Sequence, residues 1–239
     1  MKPRLLDLFS GSGGCATGYH RAGFDVVGVD IKPQKHYPFE FHQGDALTFP
    51  TDGFDAIHAS PPCQAHSALK TMHNARKGFH ADLIPQTRQK LQESGLPWVI
   101  ENVPGSTLSR GSVMLCGTMF GLGTGLSELR RHRWFETSFG ILVPECSHRD
   151  RVIGVYGGHG RDRKRIKPTT IGVYGGGHGT SLHRASKGAR NFTAAEQREA
   201  MGIDWMTVDE LSQAIPPAYT EFIGKYLMNA LQKSACQPS

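Results

Sequence analysis

Short apolar runs recur along the first half of the chain, and each one ends close to a glycine, a proline or an acidic residue. The runs begin at Leu5, Val26, Phe54, Trp98 and Val113. Runs of this length without strict alternation are typical of strands buried on both faces, as in parallel sheets. Residues 81–94 have helical spacing with Leu83 and Leu91 inward, and Gly95-Leu96-Pro97 ends that helix. Strands alternating with helices predict an α/β fold with helices on both faces of one sheet.

The turn after the first strand is rich in glycine and indicates a ligand site. Ser10-Gly11-Ser12-Gly13-Gly14 follows the strand, and absent Cβ atoms let a ligand approach the backbone. Asp30 ends the next strand about twenty residues on, where a carboxylate can accept hydrogen bonds from a ribose. Asp45 follows a third strand and can accept from an adenine amino group. Because the spacing is not G-x-G-x-x-G and no phosphate-binding lysine follows, we expect a nucleoside without a pyrophosphate.

Reactive side chains follow the later strands. Pro61-Pro62 stop the strand that starts at Phe54, and Cys63 comes directly afterwards, at the sheet edge where α/β enzymes keep their chemistry. A lone cysteine is more often a small buried hydrophobe. Glu101 directly follows the strand from Trp98, and a charge in that position requires a partner. Arg131 and Arg133 are two residues apart on a predicted strand, so we expect them on one face.

Charge is distributed unevenly along the chain. The protein has 239 residues, enough for one α/β domain with a modest insertion, and a net charge of +6. Residues 130–190 contain 13 Lys and Arg against 4 Asp and Glu, whereas the remainder contains 14 basic and 17 acidic residues. A basic segment of this kind is typical of proteins that bind nucleic-acid phosphates.

The composition disfavours a disulfide-bonded secreted protein and a membrane protein. Five cysteines without a C-x-x-C pair do not form a disulfide framework and fit a reducing compartment. No run of 18 apolar residues occurs, and the N-terminus lacks the apolar core of a signal peptide. We therefore expect a cytoplasmic protein that has no membrane contact.

Residues 139–190 differ in composition from the rest, being rich in glycine, histidine and arginine. Ile153–Gly160 and Ile171–Gly179 are two copies of one glycine-rich sequence and predict a two-stranded ribbon with a basic linker. Cys146-x-His148 together with the later histidines matches no standard zinc spacing, so no metal site is expected. These later histidines are His159, His178 and His183. Cys116 is expected to be a packing residue.

Three motifs in order carry a resemblance to a known family. Pro61-Pro62-Cys63-Gln64, Glu101-Asn102-Val103-Pro104 and Arg131-x-Arg133 resemble the DNA cytosine-5 methyltransferases, in particular the small stand-alone members of bacteria and bacteriophages. The resemblance implies a Rossmann-like class I fold that uses S-adenosylmethionine. It also implies a catalytic domain at 1–138, a small target-recognition insertion at 139–190 and a returning segment at 191–239.

The resemblance assigns roles to individual residues. Cys63 would add to cytosine, a protonated Glu101 would hold its ring nitrogen 3, and Arg131 and Arg133 would hold its carbonyl oxygen, the sulfur region or a flanking phosphate. The expected cofactor-binding residues are Phe9, Gly11, Gly13, Gly14, Asp30, Ile31, Asp45, Ala46, Pro61 and Gln213. The expected nucleic-acid-binding residues are Gln64, Ser67, Arg76, Lys77, Arg161, Arg163, Lys164, Arg165 and Arg190.

The partners implied are double-stranded DNA and, as in many relatives, a cognate restriction nuclease, with the protein itself a monomer associated with the nucleoid. An insertion of about fifty residues buries only ~600–1,000 Å² against DNA, so we expect a short or degenerate target site. Thr193 to Glu196 form a capping-box sequence that predicts a helix ending at Gly202, and a further amphipathic run covers 219–231.

Two departures from the family pattern keep alternatives open. Leu129 stands where the family has a glutamine, and Ser212-Gln213 stands where it has Gly-Asn beside the cofactor. The alternatives are a tRNA cytosine-5 methyltransferase, whose Cys-Phe-Thr segment is missing here, a non-catalytic DNA-binding relative, and transfer of a group other than methyl.

Overall fold

The computed structural model describes residues 1–62, 81–125, 127–148, 170–171 and 193–235. In these segments a single sheet of seven strands forms the centre, with helices on both of its faces. This confirms the α/β fold predicted from the sequence. The predicted insertion lies almost wholly outside the described residues. Within the described segments, no helix has both the length and the hydrophobicity needed to cross a bilayer.

Five parallel strands make up the first part of the sheet. They are β1 (Arg4–Leu8), β2 (Asp25–Asp30), β3 (Glu40–Gln43), β4 (Ala56–Ala59) and β5 (Trp98–Asn102), in the spatial order β3-β2-β1-β4-β5. The inner strands β1, β4 and β5 consist almost entirely of buried residues, as expected where helices cover both faces. Because the strands are parallel, their carboxyl ends meet at one edge of the sheet.

The last two strands of the sheet are paired antiparallel rather than parallel. The strand β9 (Arg133–Thr137) pairs antiparallel with both β5 and β6 (Val113–Leu115) and lies between them. The chain between β6 and β9 forms a 3-10 turn (Gly117–Phe120) and a hairpin of β7 (Gly123–Thr124) and β8 (Ser127–Leu129). A short strand, β10 (Thr170–Ile171), pairs with β8. The first copy of the repeat and the rest of the predicted ribbon lie outside the described residues.

The helices are α1 (Gly14–Arg21), α2 (Ile84–Glu93), α3 (Ala194–Met201), α4 (Val208–Gln213) and α5 (Pro217–Ala235). The helix predicted at 81–94 is confirmed as α2, but Leu83 precedes it and is only partly buried. Ile84 is buried instead, together with Leu91. The reason is that Asp82 accepts a hydrogen bond from the backbone of Ile84 and so starts the helix there.

The start of α3 confirms the capping-box prediction. The Thr193 hydroxyl accepts a hydrogen bond from the backbone of Glu196, whose carboxylate accepts one from the backbone of Thr193. The helix ends at Gly202, with φ of +66°. The amphipathic run at 219–231 lies within α5, as predicted.

Alternate residues of the strands supply two cores. On one face, Leu5 and Val99 pack with residues of α1 and α5, including Tyr19 and Tyr219. On the other face, Leu6, Leu8, Ile57 and Ile100 pack with Leu91 of α2. Each strand therefore buries both sets of side chains, which leaves the carboxyl edge of the sheet as the place where polar groups collect.

Candidate active site

The glycine-rich turn between β1 and α1 has an unusual backbone. Phe9 has φ of +57°, a costly conformation for a residue with a Cβ, and Gly13 has φ of +83° directly before α1. A Cβ on Gly14 would lie 2.5 Å from the carbonyl oxygen of Ile215, so only glycine allows this contact. The predicted cofactor residues Phe9, Gly11, Gly13 and Gly14 thus form one tight turn at the carboxyl end of β1.

Asp30 lies at the carboxyl end of β2 and is held by backbone groups. Its Oδ2 atom accepts a hydrogen bond from the Gly11 N–H at 3.1 Å, and its Oδ1 atom accepts one from the Lys32 N–H at 2.9 Å. A carboxylate oxygen has two lone pairs, so both oxygens retain acceptor capacity for a ligand. These bonds fix the orientation of the carboxylate beside the glycine-rich turn.

The next two cofactor candidates differ in exposure. Ile31 follows Asp30 and is 69% exposed, which is unusual for a large apolar side chain next to a buried strand. Asp45 accepts a hydrogen bond from the Leu47 N–H at 2.9 Å through Oδ1. Ala46 is 3% exposed and packs in the core with Leu8, so any contact it makes with a ligand is through its backbone.

The segment before and including α4 is attached to the glycine-rich turn by polar contacts. The Ser12 hydroxyl donates to Glu210 Oε1 at 2.8 Å, and the Trp205 indole N–H donates to the Ser12 carbonyl oxygen at 3.0 Å. His36 Nδ1 lies 2.8 Å from the same Glu210 oxygen. Burial opposes ionisation of Glu210, but hydrogen bonds from His36, Thr207 and Ser12 prevail and lower its pKa to about 2. A charged Glu210 therefore ties α4 to the turn.

Arg131 binds the far end of α4. Its Nε donates to the Ala214 carbonyl oxygen at 3.0 Å, and a second nitrogen donates to the carbonyl oxygen of Ser212. Its own carbonyl oxygen accepts from the Tyr219 hydroxyl. Gln213 is exposed beside these carbonyls, and its amide lies 3.3 Å from the Ser212 hydroxyl.

The prediction that Arg131 and Arg133 share one strand is wrong, because β9 begins only at Arg133. The contacts of Arg131 with α4 and α5 hold it outside the sheet. Its guanidinium nevertheless remains close enough to Glu101 to lower the pKa of that carboxyl group. The structure therefore brings both arginines close to Glu101. Arg133 is on β9, whereas Arg131 is held by contacts with α4 and α5.

Glu101 lies at the carboxyl end of β5 and is 6% exposed. Its Oε1 atom is 3.1 Å from Arg133 Nε, and the side chain also interacts with the Ser60 hydroxyl. Burial raises the pKa of Glu101, while Arg133, Arg131 and Ser60 lower it; the net direction is upward from the ordinary value. A buried carboxyl group with a raised pKa is poised to bind a proton when it loses further contact with water.

Asn102 connects β5 to the Pro-Pro turn. Its Nδ2 donates to the Pro61 carbonyl oxygen at 2.9 Å, and its Oδ1 accepts from the Val103 N–H at 2.9 Å. Asn102 and Pro61 are both buried. The last described residues before Cys63 are therefore held directly against the strand that carries Glu101.

A buried hydrogen-bonded group lies beneath this site, and sequence reasoning missed it. His58 Nε2 lies 2.9 Å from the Ser60 hydroxyl and 3.0 Å from Cys15 Sγ, and its Nδ1 lies 3.0 Å from the Tyr19 hydroxyl. Complete burial lowers the pKa of His58 to about 3, so the ring is neutral. The group orients Ser60, which in turn contacts Glu101. A histidine inside an apolar strand was the only sequence signal.

Many predicted residues lie outside the described part of the chain. They are Cys63, Gln64, Ser67, Arg76, Lys77, Arg161, Arg163, Lys164, Arg165 and Arg190. Their assigned roles stay predictions.

The departure at Leu129 has a structural explanation. Leu129 is 1% exposed and packs with Met201 and Leu211 in a third core, between the hairpin and the helices α3 and α4. A glutamine there would have to bury its amide group. Sequence reasoning also missed the proximity of Cys116 and His132 to Cys146 and His148.

Seven strands with one antiparallel strand between the last two parallel ones, a glycine-rich turn after β1 and an acidic residue ending β2 together define a class I S-adenosylmethionine-dependent methyltransferase fold. Within that class, residues 3–111 match the family model of the C-5 cytosine-specific DNA methylases, which confirms the predicted family resemblance. This family uses S-adenosylmethionine as its methyl donor, as the sequence led us to expect. No curated protein matches the chain.

Solved structures of methyltransferases share the fold. A protein described as a DNA modification methyltransferase encoded within an E. coli prophage is 17% identical with a TM-score of 0.61, covering 96% of this chain and 99% of its own. The S. pombe Dnmt2 methyltransferase is 16% identical with a TM-score of 0.57, with the same coverage. The Entamoeba histolytica methyltransferase EhMeth is 15% identical with a TM-score of 0.56, covering 97% and 99%. The family match and this fold support methylation of cytosine carbon 5.

Proposed function

We propose that the protein methylates carbon 5 of cytosine in double-stranded DNA, with Cys63 as the nucleophile and S-adenosylmethionine as the methyl donor. The main support is the position of Glu101, a buried carboxyl group at the carboxyl end of β5. Asn102 holds Pro61 against the same strand end, and Cys63 follows Pro61 by two residues in sequence. An acid at the end of one strand and a nucleophile that follows the adjacent strand in sequence suit the two edges of one pyrimidine ring.

The carboxyl ends of β1 and β2 fit the cofactor. The Asp30 carboxylate is already oriented by two backbone N–H groups, so it can accept from ribose hydroxyls without reorganising. The exposed side chain of Ile31 offers an apolar surface for a purine ring. When bound, S-adenosylmethionine supplies the electrophilic methyl group that carbon 5 accepts. Phe9 and the glycines of the turn allow the close approach that the nucleoside requires.

The chemistry of this chain begins at Cys63. Carbon 5 of cytosine is a poor nucleophile, and addition of the Cys63 thiolate to carbon 6 turns the ring into an enamine that is nucleophilic at carbon 5. After methylation a base removes the carbon-5 proton, and the electrons of that bond expel the thiolate. A free cysteine is mostly protonated at neutral pH, so positive charge close to the thiol would favour the thiolate.

Glu101 acts on the opposite edge of the ring. Nitrogen 3 of neutral cytosine is a hydrogen-bond acceptor, so Glu101 must be protonated to donate to it. Entry of the base removes the remaining water from a carboxyl group whose pKa burial already raises. Arg133 contacts Glu101 directly, and its guanidinium would stabilise charge that develops on the ring as sulfur adds. Arg131 positions this segment through α4.

The target cytosine is not accessible inside a duplex, so it must rotate out of the stack at a cost of a few kcal/mol. Phosphate contacts from the basic part of the chain would offset that cost, and the small size of this part supports a short or degenerate target sequence.

The nucleophile is tested by replacing Cys63 with alanine. We expect Cys63→Ala to abolish methyl transfer to duplex DNA and to leave the affinity for DNA within a few-fold, because the thiol forms a bond only during turnover. Radiolabelled methyl transfer and a gel-shift titration measure the two quantities. Cys236→Ser, which changes a cysteine that belongs to none of the three sequence motifs, serves as the control and is expected to retain activity. Transfer by the alanine variant would reject Cys63 as the nucleophile.

The substrate is tested by assaying duplex DNA and tRNA side by side. A denaturation-resistant adduct with DNA that contains 5-fluorocytosine, together with 5-methylcytosine in the product by mass spectrometry, supports the proposal. Modification of tRNA alone would replace DNA by RNA as the substrate. Absence of an adduct with either nucleic acid would favour the non-catalytic alternative, and a different product mass would identify another transferred group.

A further inference from the structure

Four side chains with nitrogen and sulfur donors converge at a place that the methylation chemistry does not use. They are Cys116, His132, Cys146 and His148, and their donor atoms all lie within 4.8 Å of one another. Cys116 is buried and the other three are partly exposed. Positions 116 and 148 are 32 residues apart in sequence, so the fold, rather than local spacing, assembles the group.

The distances between donor atoms match a tetrahedral site. His148 Nε2 lies 3.4 Å from Cys116 Sγ, and His132 Nε2 lies 3.6 Å from Cys146 Sγ. Zinc–sulfur and zinc–nitrogen bonds of about 2.3 and 2.0 Å in a tetrahedron place sulfur and nitrogen ligands about 3.5 Å apart. His148 Nε2 is closer to Cys146 Sγ, at 2.7 Å, and this edge would lengthen on metal binding. Both imidazoles present the same nitrogen, Nε2, to the sulfurs.

The chemistry of the donors selects the metal. Two thiolates neutralise a divalent cation, and thiolate with imidazole favours zinc over magnesium or calcium. Thr118 supports the sulfurs from outside, because its hydroxyl donates to Cys116 Sγ at 3.3 Å and lies 3.6 Å from Cys146 Sγ. Four protein ligands leave no open coordination position, which is typical of a structural site.

We propose that Cys116, His132, Cys146 and His148 form a structural zinc site. The ligands join three parts of the chain: Cys116 directly follows β6, His132 directly precedes β9, and Cys146 and His148 lie at the end of the described segment before residue 149. His132 is the residue between Arg131 and Arg133. The metal therefore fixes the backbone that positions both arginines and anchors the chain where it leaves the sheet toward the predicted recognition insertion.

The full-length protein, purified without chelators, tests the site directly. Elemental analysis is expected to find about one zinc per chain, the number that a single four-ligand site holds. Replacing zinc by Co²⁺ is expected to produce the visible absorption of a tetrahedral thiolate-bound ion. A preparation that holds no stoichiometric zinc and does not bind added Zn²⁺ after reduction overturns the proposal. So does a disulfide between Cys116 and Cys146, detected by mass under non-reducing conditions.

Variants assign the ligands. Cys146→Ser and His148→Ala are expected to lose zinc, whereas the control Cys236→Ser retains it. Because a variant can simply fail to fold, the second measurement is made on the unmodified protein: removal of zinc by a chelator is expected to lower the melting temperature by several degrees, and added Zn²⁺ restores it. Retention of zinc by both ligand variants overturns the assignment. Methyl transfer is scored separately, so failure of the methylation proposal leaves this test unaffected.

Discussion

Glu101 is subject to opposing influences. Burial raises its pKa, whereas Arg133 and Arg131 lower it, and the net direction is upward. A raised pKa means that the folded protein holds the proton to a higher pH than the unfolded chain does, and loses it as the pH rises through the folded-state pKa. In the proposed mechanism, the hydrogen-bond donor to nitrogen 3 of cytosine is therefore present at low pH and disappears with increasing pH.

This behaviour predicts the pH dependence of the Glu101→Gln variant. The wild-type kcat/KM is expected to fall on the alkaline side as Glu101 loses its proton, while the glutamine amide, which does not titrate, removes that limb. Because an amide is a weaker hydrogen-bond donor than a carboxylic acid, we expect the maximum of kcat/KM to drop about 100-fold or more. Rates of transfer to duplex DNA across the pH range measure both effects.

Glu136→Gln is the matched control for this experiment. Glu136 lies on the neighbouring strand β9 but pairs with Arg88 at 2.7 Å, away from the proposed cytosine site. The Glu136→Gln variant is expected to keep the alkaline fall of kcat/KM. An unchanged alkaline fall in Glu101→Gln would show that a group other than Glu101 titrates.

At the level of elements, α1 and α5 approach each other more closely than side chains normally allow. A Cβ on Gly18 would lie 2.2 Å from the Pro217 carbonyl oxygen and 2.0 Å from the Thr220 hydroxyl oxygen. A Cβ on Gly224 would lie 2.6 Å from the Cβ of Ala22. This close contact holds the C-terminal helix to the helix that starts at the glycine-rich turn.

Gly18→Ala is therefore expected to destabilise the protein by about 2 kcal/mol. Alanine favours a helix by about 1 kcal/mol over glycine, but the clash with a backbone carbonyl cannot be relieved by a side-chain movement and outweighs that gain. Urea unfolding gives the free energy difference. Gly111→Ala is the control, because a Cβ there meets no atom within 4 Å, and its effect is expected to stay within about 0.5 kcal/mol. Equal stability of the two variants would contradict the close contact.

The elements also show what a sequence can and cannot predict. The buried strands and the α3 capping box follow from local patterns, and the structure confirms them. The Thr207-x-x-Glu210 capping box of α4 was an equally clear signal that the sequence interpretation did not use. Contacts such as that between Ser12 and Glu210 join residues 198 positions apart, and no local pattern contains them.

The same limitation explains two features of this region that the sequence interpretation did not predict. The start of β9 at Arg133 depends on Arg131 binding the carbonyls of α4, more than eighty residues away. The cysteine and histidine group was overlooked because only histidines following Cys146 were considered, whereas His132 precedes Cys146 and Cys116 directly follows β6.

For the whole molecule, the uneven charge predicts where DNA binds. Residues 130–190 hold an excess of nine positive charges, while the rest of the chain is slightly acidic. Replacing Arg161, Arg163 and Arg165 by glutamine is expected to weaken DNA binding and to reduce the slope of log affinity against log salt by about three, because each phosphate contact contributes about 0.9. Fluorescence anisotropy over a range of salt concentrations measures the slope.

The control for this prediction neutralises Lys2, Lys225 and Lys233, which are exposed and lie outside the basic segment. These changes are expected to leave the slope nearly unaltered. If both triple variants changed the slope equally, general charge rather than the segment 161–165 would account for DNA binding.

The helix α4 supports both halves of the proposed reaction. Through Glu210 it holds the glycine-rich turn of the proposed nucleoside site, and through its last carbonyls it holds Arg131 near Glu101. A ligand that displaces this helix at one end also moves its other end. Thermodynamic reciprocity then requires the methyl donor and the nucleic acid to alter each other's dissociation constants by the same factor. An ordered mechanism, in which one substrate prepares the enzyme for the other, would thus have its physical origin in a helix of six residues.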